Sequence, residues 1–235
     1  MAAYSYTQNF DSLNTGDLNE QDSWEGPTTF DVETSVKFKG AKAVGIVGSD
    51  GSGSILRNIT GVDSGDMYYA TRISGAGYAD DGNGILFFGS TDFAAQAGWL
   101  GFSDTGSGTY FQVRENGGWD ALFAPTADAW YIIHINFINA TTFKVQWKIA
   151  GGSFSAYTAT KTWQSSVSSP ACLLLSSGVA TANITYYWDE IGTSDPDVAA
   201  SGPANLKSYN TNLKANIKSI NTNLIANVKT LNTNA

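Results

Sequence analysis

Between Tyr4 and Ile191 the chain is a succession of short runs rich in Val, Ile, Thr, Tyr, Phe and Trp, and none has the 3.6-residue period of an amphipathic helix. The runs are Tyr4–Asp11, Ala41–Val47, Gly53–Ile59, Met67–Ser74, Gly84–Ser90, Gly98–Ser103, Thr109–Arg114, Trp119–Phe123, Trp130–Phe137, Thr142–Ile149, Ala171–Ser176 and Ile184–Ile191. Clusters of Gly, Asn, Asp and Ser separate them, at Gly48–Gly53, Ala79–Gly84, Asp104–Gly108 and Glu115–Gly118. Asn116-Gly117 reads as a two-residue hairpin turn, since both residues accept positive φ. In Thr142–Ile149 every second residue is apolar, which predicts a strand with one wet face. The pattern predicts an all-β domain of two packed antiparallel sheets.

After Ile191 the pattern changes. Residues 195–204, Asp-Pro-Asp-Val-Ala-Ala-Ser-Gly-Pro-Ala, read as a linker between a body (residues 1–194) and a tail (residues 205–235). The tail repeats every 11 residues: NLKSYNTNLKA, NIKSINTNLIA, NVKTLNTNA. Such a repeat buries surface only against neighbouring units. Its apolar positions are Leu206, Tyr209, Leu213, Ile217, Ile220, Leu224, Val228 and Leu231, and these are the expected assembly residues. On a helix they would form an 11-residue stripe with right-handed supercoil. Nine asparagines, with Thr, Ile, Val and Ser, oppose a helix at about 0.5–0.7 kcal/mol each relative to Ala. Strands joined by Asn-Thr-Asn turns are favoured over the helix.

The tail carries four lysines and no acid, leaving nine basic against 21 acidic residues in the rest of the chain. A body with a net charge of −12 lacks the basic face that phosphate binding needs, so nucleic acid is not an expected partner. No apolar run of about 18 residues predicts a membrane span. MAAYSYTQNF has no basic region followed by an apolar run and does not read as a signal peptide. Cys172, the single cysteine, sits in the apolar run Ala171–Leu175 and is expected to be buried.

Several segments taken in order resemble a known family. They are Tyr6–Leu18 with its Phe10-Asp11 pair, Gln21–Trp24, Gly40–Val44, Trp130–Phe137 and Tyr186–Ile191 with Asp189-Glu190. Together they resemble the laminin-G-like branch of the concanavalin A-like jelly rolls. The resemblance covers residues 4–194 and implies a jelly roll in which the opening Phe-Asp strand lies near the closing Asp-Glu strand. It also implies a structural calcium ion between those strands, with Asp11 and Asp189 in the matching segments. The acidic loop Gly77–Gly84 is a second candidate for such an ion. Members bind sugars or proteins, cleave glycans, or support assemblies, so the fold alone selects no function. The tail resembles repeats at the ends of phage and environmental bacterial structural proteins.

The Glu-x-Asp-x-x-Glu run of the laminarinase-like members is absent. Asp189 and Glu190 are adjacent, so on a strand they face opposite sides and cannot form the carboxylate pair of a glycosidase. His134, the only histidine, shares a strand face with Ile132 and is expected to be a packed or hydrogen-bonded strand residue. Zinc is not expected with one His and one Cys. Trp119, directly after a turn, is the candidate sugar-binding residue, whereas Trp130 and Trp147 are expected in the core. Three Asn-x-Thr triplets, at Asn58, Asn139 and Asn183, match the N-glycosylation signal.

The expected function is therefore non-enzymatic: a structural subunit of a homo-oligomeric fibre, appendage or virion. Its partners would be copies of itself, joined by the tail, and its location extracellular or on a virus particle. The alternative is a carbohydrate-binding module tethered by the tail, with glycans as partners; a glycoside hydrolase ranks third.

Overall fold

A computed structural model of the chain describes residues 2–27, 29–47, 53–74, 83–89, 96–104, 108–164, 167, 169–177 and 185–198. None of these residues is helical. Strands numbered in chain order form two sheets, and every strand pairing is antiparallel. The larger has the order β1 (Gly16–Asp17), β2 (Asp31–Glu33), β3 (Ala43–Val47), β14 (Thr185–Gly192), β5 (Gly65–Ile73), β10 (Trp130–Asn139), β11 (Thr142–Ile149), β12 (Lys161–Thr162). The smaller has the order β4 (Gly53–Asn58), β13 (Cys172–Ser177), β6 (Asn83–Phe88), β7 (Gln96–Asp104), β8 (Thr109–Glu115), β9 (Gly118–Phe123). This is the all-β sandwich of two antiparallel sheets that the strand pattern predicts, and the jelly roll that the family resemblance implies.

Alternation decides which residues meet between the sheets. On β10, Tyr131, Ile133, Ile135 and Phe137 point inward; on β5, Met67, Tyr69 and Ile73 do. They face Ile85, Phe87, Leu100, Phe102, Phe111 and Val113 of the smaller sheet. Burying each such side chain contributes about 1.5–3 kcal/mol, and this burial is the main force favouring the fold. Trp163 closes one end of this layer, stacked on Phe143 at 3.8 Å and tilted against Phe87 and Phe137. Cys172 is buried at 2% exposure on the other side of the smaller sheet, with Phe88 and Leu174, and burial pushes its thiol up to about 11.

Four expectations are corrected. Tyr4–Asp11 is not a strand: its one bridge to a strand is Gln8 to Ile191, with Ala3 to Ser64 just before it, and it holds to the sheets mainly through the rings of Tyr4 and Phe10 buried in the core. Gln8 folds its side-chain oxygen onto the Phe10 amide at 2.6 Å, and Phe10 takes φ +61°, which ends any extension. The polar face of β11 is only partly wet: Thr142, Lys144 and Gln146 are half-buried, and Lys148 is only 7% exposed. Trp130 is not in the core; it lies on the outer face of the larger sheet against Phe38 and Tyr187, while Trp147 does pack on the core beside Phe123. The Asn116-Gly117 hairpin forms between Glu115 and Gly118, but the positive φ falls on Gly118 (+126°).

The repeat residues Leu206 to Leu231 lie outside the described residues, as do most of the acidic loop Gly77–Gly84 and the Asn183 triplet.

Candidate functional site

The outward residues of the four central strands of the larger sheet carry most of its chemistry. Register places His134 of β10 opposite Tyr68 of β5 and Gln146 of β11, and Asn136 opposite Asp66. The segment that follows β11 turns back alongside it: Ser155 N donates to Trp147 O at 2.7 Å and Thr158 N to Val145 O at 2.8 Å. That return carries Phe154 and Tyr157 to the same face.

His134 is the hub. Its ring stacks on Tyr68 with centroids 4.0 Å apart and an angle of 12°. Nε2 lies 2.7 Å from Asp66 Oδ1, which also accepts from Asn136 Nδ2 at 2.9 Å. Nδ1 faces Gln146 Nε2 at 2.7 Å and the Tyr157 hydroxyl at 3.2 Å. Asp66 and Gln146 fix the tautomer: Nε2–H donates to the carboxylate, and Nδ1 accepts. Burial pulls the imidazole below its usual pKa, and the hydrogen bond and charge of Asp66 only partly oppose this, so the ring is neutral near pH 7. Burial followed by the Asp66 charge pushes Tyr68 up to about 12 and also raises Tyr157. The histidine is covered, but Tyr157 is 43% exposed and the Asp66 side chain 43% exposed, so the cluster meets solvent on both sides.

Two segments cover the adjoining part of the face. Asp195 and Asp197 hold Lys148 Nζ at 2.7 and 3.0 Å, and Lys148 in turn lies 4.8 Å from the Phe154 ring centre. Asp197 also accepts from Gly151 N at 2.7 Å, tying residues 195–197 to the end of β11. Burial lowers the Lys148 pKa, but its hydrogen bonds and charge pairing with the two aspartates outweigh this and raise it overall. The second cover is the loop at residues 38–42, with Phe38 on Trp130.

Asp11 and Asp189 both serve that loop. Asp189 accepts from Phe38 N (2.9 Å), Lys39 N (3.1 Å) and Glu190 N (2.8 Å). Asp11 Oδ1 accepts from Ala41 N (2.7 Å) and Lys42 N (2.9 Å). Calcium takes six to eight oxygens, whereas N–H groups aimed at a carboxylate present positive charge to any cation beside it. Among the described residues no three His, Cys, Asp or Glu are gathered to hold a metal. The geometry does not fit a calcium ion shared by Asp11 and Asp189; the pair grips successive amides of one loop instead. Burial pushes Asp189 up to about 7 against those amide bonds.

Trp119 is on the opposite sheet, on the outer face of the edge strand β9, and is 53% exposed. It is not brought together with the His134 cluster. Sequence reasoning missed Asp66, Tyr68, Gln146 and Tyr157, because only strand register and the return after β11 assemble them around His134.

No family model matches the chain, and no curated protein matches it. Solved structures do. A sialidase aligns with TM-score 0.51 and 13% identity over 82% of this chain, which spans only 18% of that protein's length. An alginate lyase in complex with alginate trisaccharide gives 0.54 and 13% over 80% of this chain and 97% of that one. The catalytic domain of a glycoside hydrolase family 131 protein from Coprinopsis cinerea gives 0.52 and 12% over 84% and 100%. At such identities the likeness is one of fold, and with the two antiparallel sheets it fits a concanavalin A-like β-sandwich.

Proposed function

We propose that this chain binds carbohydrate, with the glycan lying across the outer face of the larger sheet above Asp66, Tyr68, His134 and Tyr157. One observation carries the reading: a buried, neutral histidine flanked by an exposed carboxylate and an exposed phenol, with the aromatic faces of Tyr68 and Phe154 beside it. Sugar sites combine aromatic rings with a few fixed polar groups in this way. The similarity of fold to proteins acting on alginate and other glycans agrees with it. Glycan-array screening followed by calorimetry tests it. Tyr157→Ala and Asp66→Ala should each weaken binding at least about tenfold, or about 1.4 kcal/mol. Binding unaffected by both variants, or no binding to any glycan, would sink it.

A catalytic role for the same site has its own support in the Tyr157 hydroxyl, 3.2 Å from the acceptor nitrogen of His134. Its raised pKa keeps this phenol protonated at the sheet surface, where it is a general-acid candidate toward a substrate oxygen, beside an imidazole held neutral by burial. Incubation with uronate polymers, followed by the ultraviolet absorbance of an unsaturated product, tests this reading against binding alone.

Assembly into a fibre, appendage or virion stands on the 11-residue repeat and on Leu206, Tyr209, Leu213, Ile217, Ile220, Leu224, Val228 and Leu231. It is compatible with glycan binding by the body. Light scattering of the full chain at high concentration tests it, and a strict monomer would count against it.

A further inference from the structure

The outer face of the smaller sheet carries a second feature, remote from the His134 cluster. Strand register puts Trp99 of β7, Arg114 of β8 and Trp119 of β9 in one row across three neighbouring strands. Trp99 is only 4% exposed and meets Trp119 edge to face, with centroids 5.1 Å apart at 72°. It therefore acts as a buttress that holds the exposed ring in one orientation. The Arg114 guanidinium carbon is 5.4 Å from the centre of the Trp119 ring. With the Gln164 amide turned so that its oxygen faces Arg114 Nε at 3.1 Å, the guanidinium is steadied from behind.

The charges around this row are sorted. The nearest acids in sequence, Glu115 and Asp120, are both taken by Lys161, which is 6% exposed and sits 2.9 Å from Glu115. Alternation directs Glu115 and Asp120 away from the face that bears Arg114 and Trp119. Arg114 makes no ion pair among the described residues. On a body with a net charge of −12, a cation kept clear of carboxylates beside an exposed, braced indole is a specific combination.

We infer that Trp99, Arg114 and Trp119 form a second glycan-contact site, selective for an acidic sugar. A pyranose ring stacks its C–H face on Trp119, and its carboxylate is held by the Arg114 guanidinium, whose planar fork matches a carboxylate. A neutral sugar would gain only the stacking. This site is independent of the His134 cluster, and a domain with both could hold a chain or two chains on opposite faces.

The test is calorimetry with the Tyr157→Ala protein, in which the first site is weakened, using hexagalacturonate, a neutral hexaglucan and a sulfated hexasaccharide. The uronate should bind at least about tenfold more tightly than the neutral chain. Arg114→Gln should remove that preference while Trp119→Ala lowers binding to the residual level of the weakened first site, with thermal melts showing both variants folded. Trp119→Phe, which keeps a smaller ring, should retain part of the affinity. Uronate binding unchanged in Trp119→Ala, or equal binding of neutral and acidic chains, would overturn the inference. Equal binding of the sulfated chain would show that charge alone is read and would overturn the assignment to a uronate.

Discussion

The clasp between Lys148 and Asp195 and Asp197 should reveal how the covered half of the larger sheet is held. The ammonium is 7% exposed and its carboxylates 14% and 17%, so all three groups have left most of their water. Replacing both aspartates (Asp195→Asn with Asp197→Asn) leaves a buried cation without a counter-charge, which costs about 3–5 kcal/mol. Either single change leaves one carboxylate in place and should cost less, about 1.5–3 kcal/mol, the worth of a hydrogen bond to a charged group. Lys148→Met keeps a long apolar stem against Phe154 and removes the charge, so adding it to the double variant should recover a large part of the loss. For a domain of this size, 3–5 kcal/mol corresponds to roughly 6–20 °C in Tm. Urea unfolding followed by tryptophan fluorescence gives the free energies, provided the slope is unchanged. A double variant that loses less than about 1 kcal/mol, or a triple variant no more stable than the double, would refute the argument that this lysine depends on its partners.

Two further expectations follow from close packing and from pH. Gly98→Ala should destabilise by about 1–3 kcal/mol, because its Cβ would stand 2.8 Å from the buried Trp163 ring, whereas Gly117→Ala, with nothing within 4 Å, should cost far less; chemical denaturation of the two compares them directly. Asp189 titrates near 7 in the fold against about 3.9 unfolded, so its folded form binds the extra proton: its contribution is present below about pH 4 and is lost as pH rises through 7, up to about 4 kcal/mol in all. His134, with its lowered pKa, works the other way, losing stability as pH falls below about 6.5. Comparing melts of wild type and Asp189→Asn between pH 4 and 8 isolates the first effect, and identical slopes would rule it out.

The strands were legible where a run was long enough to alternate. Thr142–Ile149 matches its observed bounds, and Trp130–Phe137 lacks only its last two residues. β1, β2 and β12, of two or three residues, are too short to carry any period. Tyr4–Asp11 looked like a strand because its composition suits one, but a local side-chain bond from Gln8 and a positive φ at Phe10 override that preference. Parity placed His134 on the face of Ile132, yet parity cannot say what lies across the sheet. Asp66 comes from 68 residues away and Tyr157 from an irregular segment, so neither has a local signal. Asp11 and Asp189 belong to segments whose family likeness suggests a shared ion. What they hold is the loop at residues 38–42, which overlaps the Gly40–Val44 segment of that likeness, but nothing in the sequence paired it with either aspartate.

The most direct measurement of the central claim is a crystal structure of the protein soaked with the oligosaccharide that binds most tightly on an array. The account predicts sugar density over Tyr68 and His134, with hydroxyls within hydrogen-bond distance of Asp66 and the Tyr157 phenol. A saturating oligosaccharide that leaves this face bare would contradict it.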